Sequence, residues 1–105
     1  MATSGHSTDF WIVDVRDMED WSQPLEVYER TIQRAITALD KNEKIVICCG
    51  AGQSRSNAVA LGVLMKKYNM DFYDAYNLIM EKVPIAQIDP FHISALKKMF
   101  KVGLP

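Results

Sequence analysis

The chain has 105 residues, of which 49% are hydrophobic and 24% are charged. These values are typical of one small globular domain. The formal net charge of −1 argues against a surface that attracts nucleic acid or an anionic membrane. We therefore expect a single domain over residues 1–105, with residues 1–8 as a disordered tail and with no nucleic-acid or membrane partner.

The first half of the chain predicts the order strand, helix, strand. Phe10–Val13 is a short aromatic and β-branched run, which is typical of a buried strand. Apolar residues from Leu25 to Leu39 then recur at helical spacing, and residues 40–42 end that helix. Residues 44–48 predict a second strand that is apolar on both faces, as in a parallel strand covered by helices.

The second half predicts three helices. Residues 55–68 are apolar almost all round, which indicates a central helix. Asp71 is a cap for a helix over 72–82, and Pro84 breaks that helix. Asp89-Pro90 is a cap followed by proline at the first helical position. The apolar residues of this last helix are Phe91, Ala95, Leu96, Met99 and Phe100.

This order predicts an α/β domain with a small, mostly parallel sheet flanked by helices. A strand–helix–strand unit favours a right-handed crossover between parallel strands. Two strands leave both edges of a sheet open. Three arrangements remain: direct pairing of the two strands, completion of the sheet by a second copy in a homodimer, or displacement of the loop after the first strand.

The most informative stretch is IVICCGAGQSRS, residues 45–56. A β-branched run leads into Cys49, five residues follow, and Arg55 opens a helical segment. A strand, a tight glycine-containing loop and a helix start together turn backbone N–H groups inward and add the positive end of the helix dipole. This arrangement predicts a phosphate-binding loop with a cysteine at its base.

The same features predict a reactive thiol. Inward N–H groups and a nearby arginine lower the pKa of a thiol, so we expect Cys49 to be a thiolate at neutral pH. Arg55 offers a planar fork of donors that matches two phosphate oxygens. The pattern is weak as a bare cysteine–arginine spacing, but a preceding strand, internal glycines and a following helix make it specific.

These residues resemble the C-x-x-G-x-x-R-S signature of the cysteine-dependent protein phosphatases, closest to the small dual-specificity type. The resemblance covers roughly residues 10–100. It implies a shortened version of that fold and hydrolysis of phosphotyrosine, and of phosphoserine or phosphothreonine, through a phosphocysteine. The sequence departs from the family at Cys48, where the family usually has histidine, and in the few residues that precede the aspartate-bearing segment.

The resemblance also implies roles for individual residues. Cys49 is the nucleophile, Arg55 stabilises the transferred phosphoryl group, and the hydroxyl of Ser56 assists the leaving thiolate. The expected phosphate-binding residues are Gly50, Ala51, Gly52, Gln53, Ser54 and Arg55. In the family, a polar residue at the position of Gln87 bonds the arginine or positions water.

The general acid is expected in the segment after the first strand, which contains Asp14, Asp17 and Asp20. Asp17 precedes Cys49 by 32 positions (49 − 17), and this spacing resembles that of the family's acid. Asp17 is therefore the predicted acid, with Asp14 as the next candidate.

The two cysteines are adjacent, which disfavours a disulfide framework. A thiolate nucleophile also requires reducing surroundings, so we expect a cytoplasmic location. Cys48 is expected to be a small core residue. His6 and His92 lie far in sequence from the cysteines and from each other, so they form no metal-ligand motif. We therefore predict no metal and no cofactor.

Two other functions fit parts of the sequence. A phosphate-binding module without turnover would result if the acid is misplaced. A rhodanese-like sulfurtransferase is suggested by residues 12–16, IVDVR, but the five-residue spacer fits a phosphate better. The substrate class is a phosphoprotein or a small phosphate ester.

Overall fold

The computed structural model of the protein describes residues 11–15, 18, 23–41, 44–48, 54–83 and 86–102. At positions 11, 12 and 48 the description is of the backbone. The predicted tail, residues 1–8, lies outside this set.

The described elements follow the predicted order. They are β1 (Trp11–Asp14), α1 (Leu25–Lys41), β2 (Ile45–Cys48), α2 (Ser54–Lys67), α3 (Phe72–Lys82) and α4 (Pro90–Met99). Where the described bounds differ from the predicted ones, they differ by one or two residues, and Phe10, the predicted start of the first strand, lies outside the described residues. The α/β fold class is confirmed. None of the helices in the described ranges is long and apolar enough to cross a membrane.

The two strands pair directly and in parallel, which is the first of the three arrangements left open by the sequence. Trp11 lies opposite Ile45 and Asp14 opposite Cys48, in a sheet that has two strands within the described residues. Both strands therefore end at the same edge. The segment after β1 and the segment after β2 leave the sheet side by side, at the edge where ligands bind in such folds.

One face of the sheet is less covered than the sequence predicts. Ile45 and Ile47 pack against the hydrophobic core, but the side chain of Val46 is 43% exposed. The prediction that β2 is covered on both faces is therefore wrong at Val46. Apolar character on both faces of a strand does not by itself require a helix on each.

Helix α1 is amphipathic and buries one face. The buried side chains on this face are Tyr28, Thr31, Ile32, Ala35 and Ile36. Thr31 satisfies its hydroxyl by donating to the carbonyl of Val27, 2.7 Å away. Its presence on the buried face therefore leaves no unsatisfied donor.

Helix α2 is central, as predicted, and contacts β2 and the other three helices. Its closest approach to α1 is at Gly62. A Cβ atom at Gly62 would overlap Ile32 Cδ1 and would lie 3.6 Å from Leu96 Cδ2. Glycine fits here because a Cβ would require the Ile32 side chain of α1 to shift.

The caps of α3 and α4 are those predicted. The carboxylate of Asp71 accepts from Tyr73 N and that of Asp89 from Phe91 N, each at 3.1 Å. Helix α4 ends in a Schellman turn, in which Val102 N donates to the carbonyl of Lys97 at 2.8 Å and Lys101 has a φ of 58°.

The apolar stripe predicted for α4 is partly wrong. Phe91 is 54% exposed, whereas the neighbouring His92 and the more distant Leu96 are fully buried. Adjacent helical residues lie about 100° apart around the axis. The packing of α4 against α1 and α2 therefore takes His92 into the core and leaves Phe91 at the surface.

Candidate active site

The predicted phosphate loop lies between the carboxyl end of β2 and the N-terminus of α2. Ser54, Arg55 and Ser56 form the first turn of α2. Cys49, Gly50, Ala51, Gly52 and Gln53 lie outside the described residues. An α-helix begins directly after the loop, so unsatisfied N–H groups and the positive end of a helix dipole lie at this edge of the sheet.

Arg55 joins the two segments that leave the sheet. Its Nη1 atom donates to the backbone carbonyl of Met18, at 3.0 Å. The Met18 side chain is buried, and Met18 N donates to the carbonyl of Val15 at 3.1 Å. The guanidinium is therefore oriented by a backbone group of the segment that contains the predicted acids.

The candidate acids differ in what the structure shows of them. Asp14 is exposed at the end of β1, and its backbone carbonyl accepts from Arg34 Nη1 at 3.0 Å. Asp17 and Asp20 lie outside the described residues. Asp14 is the last residue of β1, and its Cα pairs with that of Cys48.

A second polar contact reaches the first turn of α2 from the segment before α4. The backbone N–H of Asp89 donates to the hydroxyl of Ser54 at 2.8 Å, while the Asp89 carboxylate caps α4. Asp89 therefore connects the start of α4 to the start of α2. Gln87 lies in the same segment and is exposed. Ser56 is half-buried in α2.

A buried polar cluster joins α1 and α4. The hydroxyl of Tyr28 and Nδ1 of His92 share a hydrogen bond of 2.5 Å, and the two rings meet edge to face at 5.6 Å. Gln23 Nε2 donates to the same hydroxyl at 3.3 Å. The cluster fixes the beginning of α1, which follows the acid-bearing segment, against α4.

Sequence reasoning missed three of these features. The carbonyl of Met18 has no side-chain signature. The contact of Asp89 with Ser54 could not be predicted, because the Asp89-Pro90 sequence indicates only that the aspartate caps a helix. Because His92 follows the apolar Phe91, its burial was not predicted. The signal that was available is its position one helical turn before Leu96, which places both residues on the same face of α4.

No group of three or more histidine, cysteine, aspartate or glutamate side chains within the described residues is arranged to hold a metal ion. Besides the carboxylate of Asp14, the described polar groups at this edge include the Arg55 guanidinium, the Ser54 hydroxyl and the backbone amide of Asp89. Guanidinium, hydroxyl and amide groups bind oxyanions.

Comparison with known proteins matches residues 1–101 to the family described as dual specificity phosphatase, catalytic domain. Dual specificity protein phosphatase MPK-4 of Drosophila melanogaster is 30% identical over 93 residues. Dual specificity protein phosphatase 9 of Homo sapiens is 33% identical over 75 residues. These alignments cover 87% and 70% of this chain, but 23% and 20% of the two relatives.

The fold is also similar to a solved structure. This is a leucine rich repeat and phosphatase domain containing protein from Entamoeba histolytica, with a TM-score of 0.68 and 19% identity. The likeness covers 92% of this chain and 77% of that one. It shows that the arrangement of strands and helices is shared.

Proposed function

Because this chain belongs to the family of dual specificity phosphatase catalytic domains, we propose that it hydrolyses phosphomonoesters on phosphoproteins through a phosphocysteine intermediate. The observation that carries the proposal is the 3.0 Å hydrogen bond from Arg55 to the carbonyl of Met18. It joins the helix that follows the cysteine loop to the segment that holds the candidate acids.

The first step forms a bond from Cys49 Sγ to phosphorus and breaks the bond to the ester oxygen. Asp17 gives its proton to that oxygen as it leaves. In the second step water attacks phosphorus, Asp17 takes the water's proton, and the bond to sulfur breaks. The departing thiolate accepts a hydrogen bond from the hydroxyl of Ser56.

In the transition state, negative charge is spread over the three equatorial oxygens of the transferred phosphoryl group. The backbone amides of residues 50–55 and the guanidinium of Arg55 would stabilise that charge. Support comes from the position of Ser54 and Arg55 in the first turn of α2, since a helix N-terminus favours anions.

Asp17 remains the proposed acid, with Asp14 as the alternative. Support for Asp17 comes from Met18, the next residue in the chain, whose carbonyl accepts the hydrogen bond from Arg55. Asp14 lies four residues before Met18 and is still within β1.

We propose phosphotyrosine, phosphoserine and phosphothreonine side chains as substrates, with small phosphate esters as simpler ones. A thiolate nucleophile favours a reducing compartment, so we propose the cytoplasm. A homodimer that covers a sheet edge is proposed as well, because a two-stranded sheet has open edges.

The test is phosphate release from an aryl phosphate in the presence of a chelator. Wild type should turn over, and Cys49→Ser should lose turnover while still binding inorganic phosphate, because a serine hydroxyl stays protonated in the same loop. Cys48→Ser is the matched control and should retain activity, since only the neighbouring sulfur attacks phosphorus.

Each contrary result has a clear meaning. Near-normal turnover in Cys49→Ser would rule out the phosphocysteine mechanism. Phosphate binding by wild type without turnover would identify a phosphate-binding module. Transfer of sulfur from thiosulfate to cyanide would identify a rhodanese-like enzyme.

A further inference from the structure

A groove of about 330 Å³ lies between the beginning of α1 and the outer face of α4. Its walls include Pro24, Leu25 and Tyr28 on one side and Phe91, Ala95 and Lys98 on the other. Its volume is at the lower end of the range of ligand pockets, roughly 300–1,000 Å³. A groove of this size accommodates one or two side chains.

The wall of the groove formed by α1 has a fixed conformation before anything binds. Tyr28 is buried, and its hydroxyl is held by His92 at 2.5 Å and by Gln23 at 3.3 Å. A ring held from two sides cannot rotate away without breaking buried hydrogen bonds. The groove is therefore preorganised, which lowers the entropy cost of binding.

Both walls lead directly to the proposed active site. Gln23 is five residues after Met18, whose carbonyl accepts from Arg55. Phe91 is two residues after Asp89, whose backbone N–H donates to Ser54. Consecutive Cα atoms are about 3.8 Å apart, so the Cα of Phe91 is within roughly 7.6 Å of that of Asp89. The groove thus adjoins, along the chain, the two residues that contact the first turn of α2.

The chemistry of the walls indicates what they bind. Phe91 is 54% exposed, and the groove beside it is lined by polar as well as apolar side chains, with Gln23 and Ser94 next to Leu25 and Ala95. Lys98 is exposed on the same wall, two turns further along α4. An exposed aromatic ring beside a cation matches a large apolar side chain that is followed by an acidic one.

We propose that this groove binds the polypeptide of a phosphoprotein substrate beside the phosphorylated residue. It takes one large apolar side chain against Phe91 and one acidic side chain against Lys98. This inference rests on the proposed function, and it makes Phe91 and Lys98 determinants of substrate choice that take no part in the chemistry.

The test compares substrates with and without a flanking sequence. One phosphotyrosine peptide set carries Phe-Glu within four residues of the phosphotyrosine, on either side, and the other carries Gly-Gly. Phe91→Ala should lower kcat/KM for the best Phe-Glu peptide about tenfold, the scale of a lost interface contact. It should leave kcat/KM for an aryl phosphate and for the Gly-Gly peptides unchanged.

Tyr68→Ala is the matched control, because Tyr68 is also 54% exposed but follows the other end of α2. It should change none of these values. Lys98→Glu should reverse the preference, so that a Phe-Lys peptide replaces the Phe-Glu peptide as the better substrate. Lys82→Glu, an exposed lysine in the last turn of α3, should not.

Binding of the same peptides to Cys49→Ser, measured by fluorescence anisotropy, separates the two proposals. If the wild type shows no turnover but peptide binding depends on Phe91, the enzymatic function is overturned and the peptide-binding role of the groove is supported. Turnover that is equal for Phe-Glu and Gly-Gly peptides would overturn the groove and keep the function. An equal fall on all substrates in Phe91→Ala would also overturn it.

Discussion

The first turn of α2 and the middle of the same helix are held by different kinds of contact. In the first turn, Arg55 and Ser54 are hydrogen-bonded to backbone groups of Met18 and Asp89. In the middle, Gly62 is packed between apolar side chains of α1 and α4. The first kind of contact orients groups for chemistry, and the second supplies free energy of folding.

This difference has a practical meaning. Buried apolar contacts contribute stability in proportion to the surface that they remove from water. A single hydrogen bond contributes about 1 kcal/mol, or roughly 1.5–3 kcal/mol where the donor is charged, as in Arg55. Substitutions near the first turn should therefore change turnover more than stability, and substitutions near Gly62 should do the reverse.

The largest effect is expected for Asp17→Asn. It should lower turnover by roughly 10²–10⁴ for substrates with poor leaving groups, because a positioned acid contributes about that much. The effect should shrink for an aryl phosphate whose leaving group needs no proton. Wild type should show a bell-shaped pH–rate profile, and the alkaline limb should flatten in the variant.

Asp14→Asn and Asp20→Asn are the controls for that experiment. If Asp14→Asn flattens the alkaline limb and Asp17→Asn does not, the acid is three residues earlier than proposed. If none of the three does, the acid is not in this segment.

Arg55→Lys should lower kcat/KM by about 10²–10³, the effect of removing one transition-state donor. Lysine is a point charge and cannot make the two parallel hydrogen bonds of a guanidinium. The control is Arg34→Lys, because Arg34 Nη1 also donates to a backbone carbonyl, that of Asp14 at the end of β1, at 3.0 Å. If both variants lose activity equally, Arg55 acts by holding the segment and not by contacting phosphate.

Gly62→Ala should lower the free energy of unfolding by about 1–3 kcal/mol, since the added methyl overlaps Ile32 in a filled core. Turnover per folded molecule should change little. Ile32→Val removes Cδ1, the nearer of the two overlapping atoms, and leaves Cγ1, so the double variant should recover part of the loss and be more stable than the two single effects predict when added. Urea unfolding of the four proteins measures this, and strict additivity would contradict the overlap.

The smallest effect concerns the far end of the molecule. Lys67 Nζ lies 2.6 Å from Asp40 Oδ1, and this hydrogen bond raises the pKa of Lys67 above its ordinary value of 10.5. A raised pKa contributes stability below the unfolded value, and the contribution is lost as pH rises through the folded value. Asp40→Asn should therefore lower Tm slightly at neutral pH, and the difference should vanish well above pH 10.5.

The Tm difference between wild type and Asp40→Asn should also shrink in high salt, because added salt screens an exposed ion pair. A Tm difference between wild type and Asp40→Asn that is the same at pH 7 and pH 12, or in high salt, would show that the carboxylate does not act through Lys67.

Much of the candidate site follows from sequence. The cysteine–arginine spacing, the preceding strand and the following helix predict an anion-binding loop, because these are local properties of the backbone. The caps at Asp71 and Asp89 are local as well, and both form. The contact partners of Arg55 and Ser54 do not follow, since each lies more than thirty residues away in the chain.

By itself, the sequence determined the order of strands and helices and their bounds to within one or two residues, and it predicted the chemistry of the loop. Each of these depends on periodicity and on turn and cap residues that lie within a few positions of one another. The tertiary structure alone decided that β1 pairs directly with β2, that His92 is buried against Tyr28, and that Phe91 is exposed. The physical reason is rotational: helix α4 carries apolar residues on more than one face, and only its packing against α1 and α2 selects which face enters the core.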